Sequence, residues 1–262
     1  MNINLFWFDG GITKMEMLTL KSILHLNYIP VVWSYNKDLF KNIDDRIIIM
    51  DANDIIPKNK SFIYKGGGTT RPSFGCGFTD IFRAKLLYEI GGWYSDFDIT
   101  FLDSLKEFED KEFVFRKHNI TAFVPNLIKA PAKHDFLKDL YVLFNASLNE
   151  NNQDFFKPLK IFSNLIEKYN FVGYGVNEFG NDDVNYIIPL FVKTVTCNYK
   201  AIHWCNELFK NVGYDISSLK TDLNTISLIK KNDLIKDKKI YFNWNKPVRN
   251  SFYERLLNEY KV

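Results

Sequence analysis

FTDIFRAKLLYEIGGWYSDFDITF, residues 78–101, is the stretch on which the fold turns. Ile81, Ala84 and Tyr88 form one apolar row and Phe82, Leu86 and Ile90 another, the spacing of an amphipathic helix. Gly91-Gly92 ends the helix, and the segment beyond it reads as a short strand carrying Asp96 and Asp98. Residues two apart in an extended segment share a side, so both carboxylates are expected to face one cation beside the turn. Oxygen ligands at such a junction suit a hard ion, Mn²⁺ or Mg²⁺, which completes its shell with water and phosphate oxygens. A bound diphosphate is the implied ligand. Asp80 and Arg83 lie three apart on one helical face. In isolation that spacing is a solvated ion pair of about 0.2–0.5 kcal/mol, and a lone Asp-x-Asp is ordinary turn chemistry. The information lies in the ordered set: helix, Asp-x-x-Arg, Gly-Gly and Asp-x-Asp within one short window.

Working outward, 262 residues suit one α/β domain with a full core. Apolar residues make up 46% and aromatic residues 16%, which excludes a disordered or fibrous chain. Cys76, Cys197 and Cys205 are odd in number and lack motif spacing, so neither a disulfide framework nor a zinc site is expected. A net charge of +3 is too small to imply nucleic acid. Residues 220–262 carry ten Lys/Arg against five Asp/Glu, interleaved with Tyr241, Phe242, Trp244, Phe252 and Tyr253. That segment reads either as an anionic-membrane surface or as a solvated element packed on the domain. The opening MNINLFWFDG has no basic leader and no long apolar run. The expectation is therefore a cytoplasmic protein, peripheral to the inner face of the membrane if the tail binds lipid.

Residues 3–8 read as a buried strand, Thr13 and Glu16 as a capping box, and Met17, Leu20, Ile23 and Leu24 as a helical stripe. A strand at 31–35 follows. A strand-helix-strand opening begins a parallel nucleotide-binding sheet, with ligand beyond the strand C-termini, where Trp7 and Tyr35 lie. For Trp7 the alternative is a core tryptophan. Further strands are expected at 46–51, 112–116, 121–127 and 191–197, and a helix at 134–148. Residues 65–70, KGGGTT, lack the order of a phosphate loop and read as a plain loop.

TDIFRAKLLYEIGGWYSDFDITFL, residues 79–102, resembles the signature of retaining glycosyltransferases of the GT-A fold: family 32, related capsule-synthesis enzymes, and the glucosyltransferase domains of large clostridial toxins. The resemblance implies a GT-A-like nucleotide-sugar-binding α/β fold, with a central, mainly parallel sheet flanked by helices. It implies that Asp80 and Arg83 bind hydroxyls of the donor sugar, that Asp96 touches ribose or sugar beside the metal, and that Asp98 holds the metal. LFWFDGG matches the toxin opening apart from Asp9, which implies that Trp7 stacks on a uracil base, with Tyr35 in the same pocket. PNLIKAPAKHDFL resembles a family stretch that brings Asn126 to donor or acceptor, the alternative being a turn residue. AIHWCNE resembles the family's closing metal ligand, here His203, which tilts the preference toward Mn²⁺. Asn181, Asp182 and Asp183 fall where related enzymes approach the reacting carbon, or else form an acid-rich helix start.

The implied activity is metal-dependent hexosyl transfer with retention. The donor would be a nucleoside-diphosphate sugar, UDP-linked, and the acceptor a hydroxyl of a glycan or lipid-linked glycan in capsule or lipopolysaccharide synthesis. Retention through front-face attack, or through a covalent intermediate on Asp182 or Asp183, stays open. Asp96-Phe97-Asp98-Ile99-Thr100 also resembles the start of haloacid-dehalogenase phosphatases, and a non-catalytic sugar-binding module is the third alternative.

Overall fold

Asn2–Trp7 (β1) leads through Lys14–His25 (α1) to Ile29–Ser34 (β2), and Ile48–Asp51 (β3) follows. The computed structural model describes residues 1–65, 76–118, 121–180, 182–206 and 243–262. The glycine-rich loop of residues 66–75 therefore lies outside the described residues, as do Asn181 and most of the basic segment up to residue 242. Helix α1 starts as its sequence requires: Thr13 is the N-cap, its backbone N–H donates to Glu16 at 2.7 Å, and Met15 N–H donates to Thr13 Oγ1 at 3.3 Å. Cys76–Ile90 (α2) carries the signature helix into Gly92–Ser95 (β4). Gly91 and Gly92 have φ of +69° and +83°, and a Cβ on Gly91 would sit 2.4 Å from Ala132 N, so the reversal needs glycine.

Next come Ile99–Phe101 (β5), Val114–His118 (β6), Ala122–Ala130 (β7), Asp135–Ser147 (α3) and Lys157–Lys168 (α4). Gly175–Val176 (β8), Val184–Val192 (α5), Ala201–His203 (β9) and Phe252–Glu259 (α6) complete the described elements. The main sheet has seven strands in the order β3-β2-β1-β4-β7-β6-β8, and β5 pairs with β9 in a second, two-stranded sheet. Strands β1 to β4 pair in parallel and β8 joins β6 in parallel, whereas β7 is antiparallel to both neighbours. The sheet is mainly parallel, as expected.

Strand residues alternate between two apolar layers, because successive side chains point to opposite faces. Ile3, Leu5, Val32, Trp93 and Leu127 join Leu20, Ile23 and Leu24 of α1. Phe6, Val31, Trp33, Tyr94 and Ile128 face α2, α3 and α4. Both faces are thus covered by helices. Asn4, buried in β1, crosses the layer by donating to Trp93 O and accepting from Trp33 Nε1, each at 3.1 Å. Phe6 stacks on Phe82 with centroids 3.7 Å apart, and much of the aromatic content is spent in this core.

Two expectations are corrected and, for the described part of the tail, one open alternative is decided. The strand at 191–197 does not form: Phe191 and Val192 end helix α5 and are buried in a third apolar cluster. A short continuous apolar run does not by itself distinguish a strand from a buried helix. Trp244, Phe252 and Tyr253 are not available to a membrane surface, because they pack inside that same cluster with Trp204 and Phe191. Among the described residues no helix is long and apolar enough to cross a membrane. Asp96 and Asp98 lie not in a strand but in the turn that leaves β4 and enters β5.

Candidate active site

That turn hands the chain from one sheet to the other, and it does so at the C-terminal end of β4, beside the end of β1. Strand β9 pairs antiparallel with β5, matching Ile99 with His203. The pairing continues through the turn: Trp204 N–H donates to Asp98 O at 2.8 Å, and Asn206 N–H to Asp98 Oδ2 at 3.1 Å. His203 Nε2 comes to 3.3 Å from the same oxygen. Asp96 N–H donates to Asn126 O at 2.8 Å, which fixes the other end of the turn on β7. Both carboxylates therefore face one cavity of about 690 Å³, bordered also by Trp7, Arg83, Arg116 and Asn126. The common orientation that strand alternation predicts is achieved instead by a turn held at both ends.

Asp80 and Arg83 are not a solvated pair; their side chains are 9% and 6% exposed. Arg83 Nη1 donates to Asp80 Oδ1 at 3.0 Å and Nη2 to Asp96 Oδ1 at 2.7 Å. Its guanidinium lies 4.9 Å from the centroid of the Tyr94 ring. Burial pushes the Asp80 carboxyl up to about 7, against the pull of Arg83. Asp96 is also raised, by burial first, with Arg83 opposing and the charge of Asp98 adding to the rise.

A second buried arginine faces the cavity from β6. Arg116 Nε donates to Asn126 Oδ1 at 2.9 Å, and Nη2 donates to both oxygens of Asp182 at 2.8 and 2.7 Å. Asp182 Oδ1 lies 2.6 Å from His203 Nδ1, and Oδ2 lies 3.3 Å from His118 Nε2. The register between β6 and β7 slips between Phe115 and Arg116, so that Phe115 pairs with Ile128 and Arg116 with Val124. Pro125 has no N–H to give the ladder, and the slip lets Asn126 turn its side chain to Arg116 and the cavity. Gly180, at φ +102°, brings the Asp182 loop against β9: a Cβ there would lie 3.0 Å from His203 N.

Burial alone would raise Asp182, but His203 and Arg116 more than reverse it and hold the carboxyl far below its usual range. Burial opposes a charged His203, yet Cys205, Asp98 and Asp182 together hold the imidazole well above its usual value. His118 is pushed down by burial, and burial pushes the Cys205 thiol up.

No protein-family model and no curated protein matches this sequence. Among solved structures the chain is similar to the PaToxG glycosyltransferase, at 14% identity over 64% of this chain and 68% of that one, with a TM-score of 0.48. It is also similar to the apo form of the glycosyltransferase GlyE of Streptococcus pneumoniae TIGR4, at 13% identity over 95% of this chain and a TM-score of 0.49. The match spans 65% of the GlyE chain.

The donor set suits a hard cation at one point. Adjacent ligands of an octahedral ion at about 2.1 Å lie about 3 Å apart, and Asp98 Oδ2 and His203 Nε2 are 3.3 Å apart with the other imidazole nitrogen held by a carboxylate. Asp182, His203 and Cys205 also cluster, with ligand atoms within 4.8 Å of one another. A cation there would meet the Arg116 guanidinium, which already occupies Asp182 and approaches His203 Nδ1 to 3.3 Å. The Nε2 face is the better site.

Of the residues singled out from sequence, Trp7, Asp80, Arg83, Asp96, Asp98, Asn126, Asp182 and His203 line the one cavity. Tyr35 does not: its hydroxyl donates to Ile56 O at 2.7 Å, and its ring packs against Phe6 and Phe8. Asp183 is exposed at the start of α5, where its carbonyl accepts from Tyr186 and Ile187. Arg116, His118 and Cys205 were missed. The signal for the first two was present: Arg116 and His118 alternate along a strand and so share a side.

Proposed function

We propose that this chain is a metal-dependent glycosyltransferase domain of the GT-A type, moving a sugar from a nucleoside diphosphate to a hydroxyl acceptor with retention at the anomeric carbon. One observation carries the reading: the Asp80–Arg83–Asp96 network and the Asp98–His203 pair meet on a single cavity at the C-terminal ends of parallel strands. Asp98 and His203 would hold Mn²⁺ or Mg²⁺. When bound there, the cation supplies Lewis-acid stabilisation of the charge that develops on the departing diphosphate.

The chain's own groups do the rest. Asp80, held by Arg83, offers a carboxyl oxygen to sugar hydroxyls, and its fixed position supplies orientation rather than proton transfer. Trp7, whose Nε1–H donates to Gly10 O at 3.1 Å, presents an indole at the end of β1 for the base. Asp96 is committed to Arg83 at 2.7 Å, which disfavours the phosphatase reading, where it would be the nucleophile. The donor is taken as UDP-linked and the acceptor as a glycan or lipid-linked glycan of surface polysaccharide.

The test is hydrolysis of a panel of sugar nucleotides with Mn²⁺ or Mg²⁺. At least one should be cleaved, and chelation should stop the reaction. Turnover that survives strong chelation, or a panel left intact, overturns the proposal.

A further inference from the structure

We propose that Arg116 and Asp182 are positioning residues that lock the two halves of the cavity together, Asp182 fixing the metal-facing edge of His203 and Arg116 fixing the amide of Asn126 in the cavity wall. The inference rests on the glycosyltransferase reading and adds to it the role of a residue pair.

The distances assign the protons. Three donors share Asp182 Oδ1: His203 Nδ1 at 2.6 Å, Arg116 Nη2 at 2.8 Å and, at the longer sulfur distance of 3.5 Å, Cys205 Sγ. Arg116 and His203 Nδ1 themselves are 3.3 Å apart, longer than either of their bonds to the carboxylate. The proton on Nδ1 therefore points at Asp182, which leaves Nε2 directed to Asp98. On the other arm, Arg116 can only donate, so its Nε contact at 2.9 Å requires the oxygen of the Asn126 amide. The Asn126 nitrogen is then turned the other way. Asn126 is 3% exposed, lines the cavity, and its Nδ2 has no hydrogen-bond partner. A buried donor left unpaired costs about 1–3 kcal/mol, a cost that the contact of Asn126 Oδ1 with Arg116 must outweigh.

Asp182 is thus engaged on both oxygens, by Arg116, His203 and Cys205 on one and by Arg116 and His118 on the other. A carboxylate so occupied orients its neighbours and is a poor nucleophile toward the sugar.

The experiment compares wild type, Asp182→Asn and Asn126→Ala, with folding checked by circular dichroism. Mn²⁺ affinity is measured by calorimetry without sugar nucleotide, and donor turnover across a range of Mn²⁺ concentrations. Asp182→Asn should weaken Mn²⁺ binding about 10- to 100-fold and regain turnover within about tenfold of wild type at saturating Mn²⁺. Asn126→Ala should leave Mn²⁺ affinity unchanged and raise the donor KM. Unchanged Mn²⁺ affinity in Asp182→Asn, or turnover that no Mn²⁺ concentration restores, overturns the lock while leaving the transferase reading standing. A wild type that neither binds Mn²⁺ nor cleaves any sugar nucleotide brings down both.

Discussion

Arg83 finds its two carboxylates 3 and 13 residues away, whereas Arg116 reaches Asn126 at 10 residues and then crosses 66 to Asp182. Both guanidiniums are buried and both border the same cavity. The first network is nearly complete once one helix and the turn after it have formed. The second exists only when β6, β7 and the loop before α5 have assembled, and β9 then brings His203 to it. The first is therefore built into a local unit, and the second reports on the whole fold. Under the proposed function the difference also divides the labour: the local network would meet the sugar, while the assembled one would hold the groups that take the metal.

The comparison can be broken most directly at Asp98, which leaves the local turn two residues after Asp96 and meets His203. Asp98→Asn should lower metal-dependent donor cleavage by about 10²- to 10³-fold, of the order seen when one strong electrostatic stabiliser is removed, with an unaltered circular dichroism spectrum. Activity near wild type would remove Asp98 as a ligand. Arg83→Met, leaving Asp80 and Asp96 buried without their cation, should cost about 3–5 kcal/mol in urea unfolding. A loss under 1 kcal/mol would mean that the local network is not a buried one.

Asp80→Asn sharpens the same point through pH. The folded protein keeps the Asp80 proton up to about 7, while the unfolded chain releases it near the ordinary value of 3.8. Over that window the native state holds more protons, so its stability falls as pH rises. The asparagine variant does not titrate. Its stability relative to wild type should therefore rise between pH 5 and pH 8, and a flat difference in thermal unfolding would contradict the burial of the carboxylate. The smallest effect is expected at Tyr35→Phe, which loses only the hydrogen bond to Ile56 O. It should cost about 1 kcal/mol of stability and leave the donor KM unchanged; a raised KM would return Tyr35 to the site.

How much could be read beforehand follows the same divide. The helix over residues 76–90, the glycine reversal and the capping box at Thr13 depend on neighbours within a few positions, and the periodicity states them. The parallel opening β1-α1-β2 was legible for the same reason. The run from 191 to 197 misled because its two buried residues, Phe191 and Val192, close the apolar helix α5, and the residues after them alternate in exposure without pairing into a sheet. The tail aromatics stayed open between two readings because interleaved charge looks the same on a membrane-facing segment and on a helix such as α6, which buries one side.

Residue order alone put Asp80, Arg83, Asp96 and Asp98 within one short window, because one helix and one turn fix their spacing, while the burial of Asp80 and Arg83 was not legible there. Tertiary structure decided that Asp182 meets His203 and Arg116 and that Arg116 holds the Asn126 amide oxygen. The Asp182 contacts join segments far apart in the chain, and no local spacing encodes a distance that is set only when the sheets close around it.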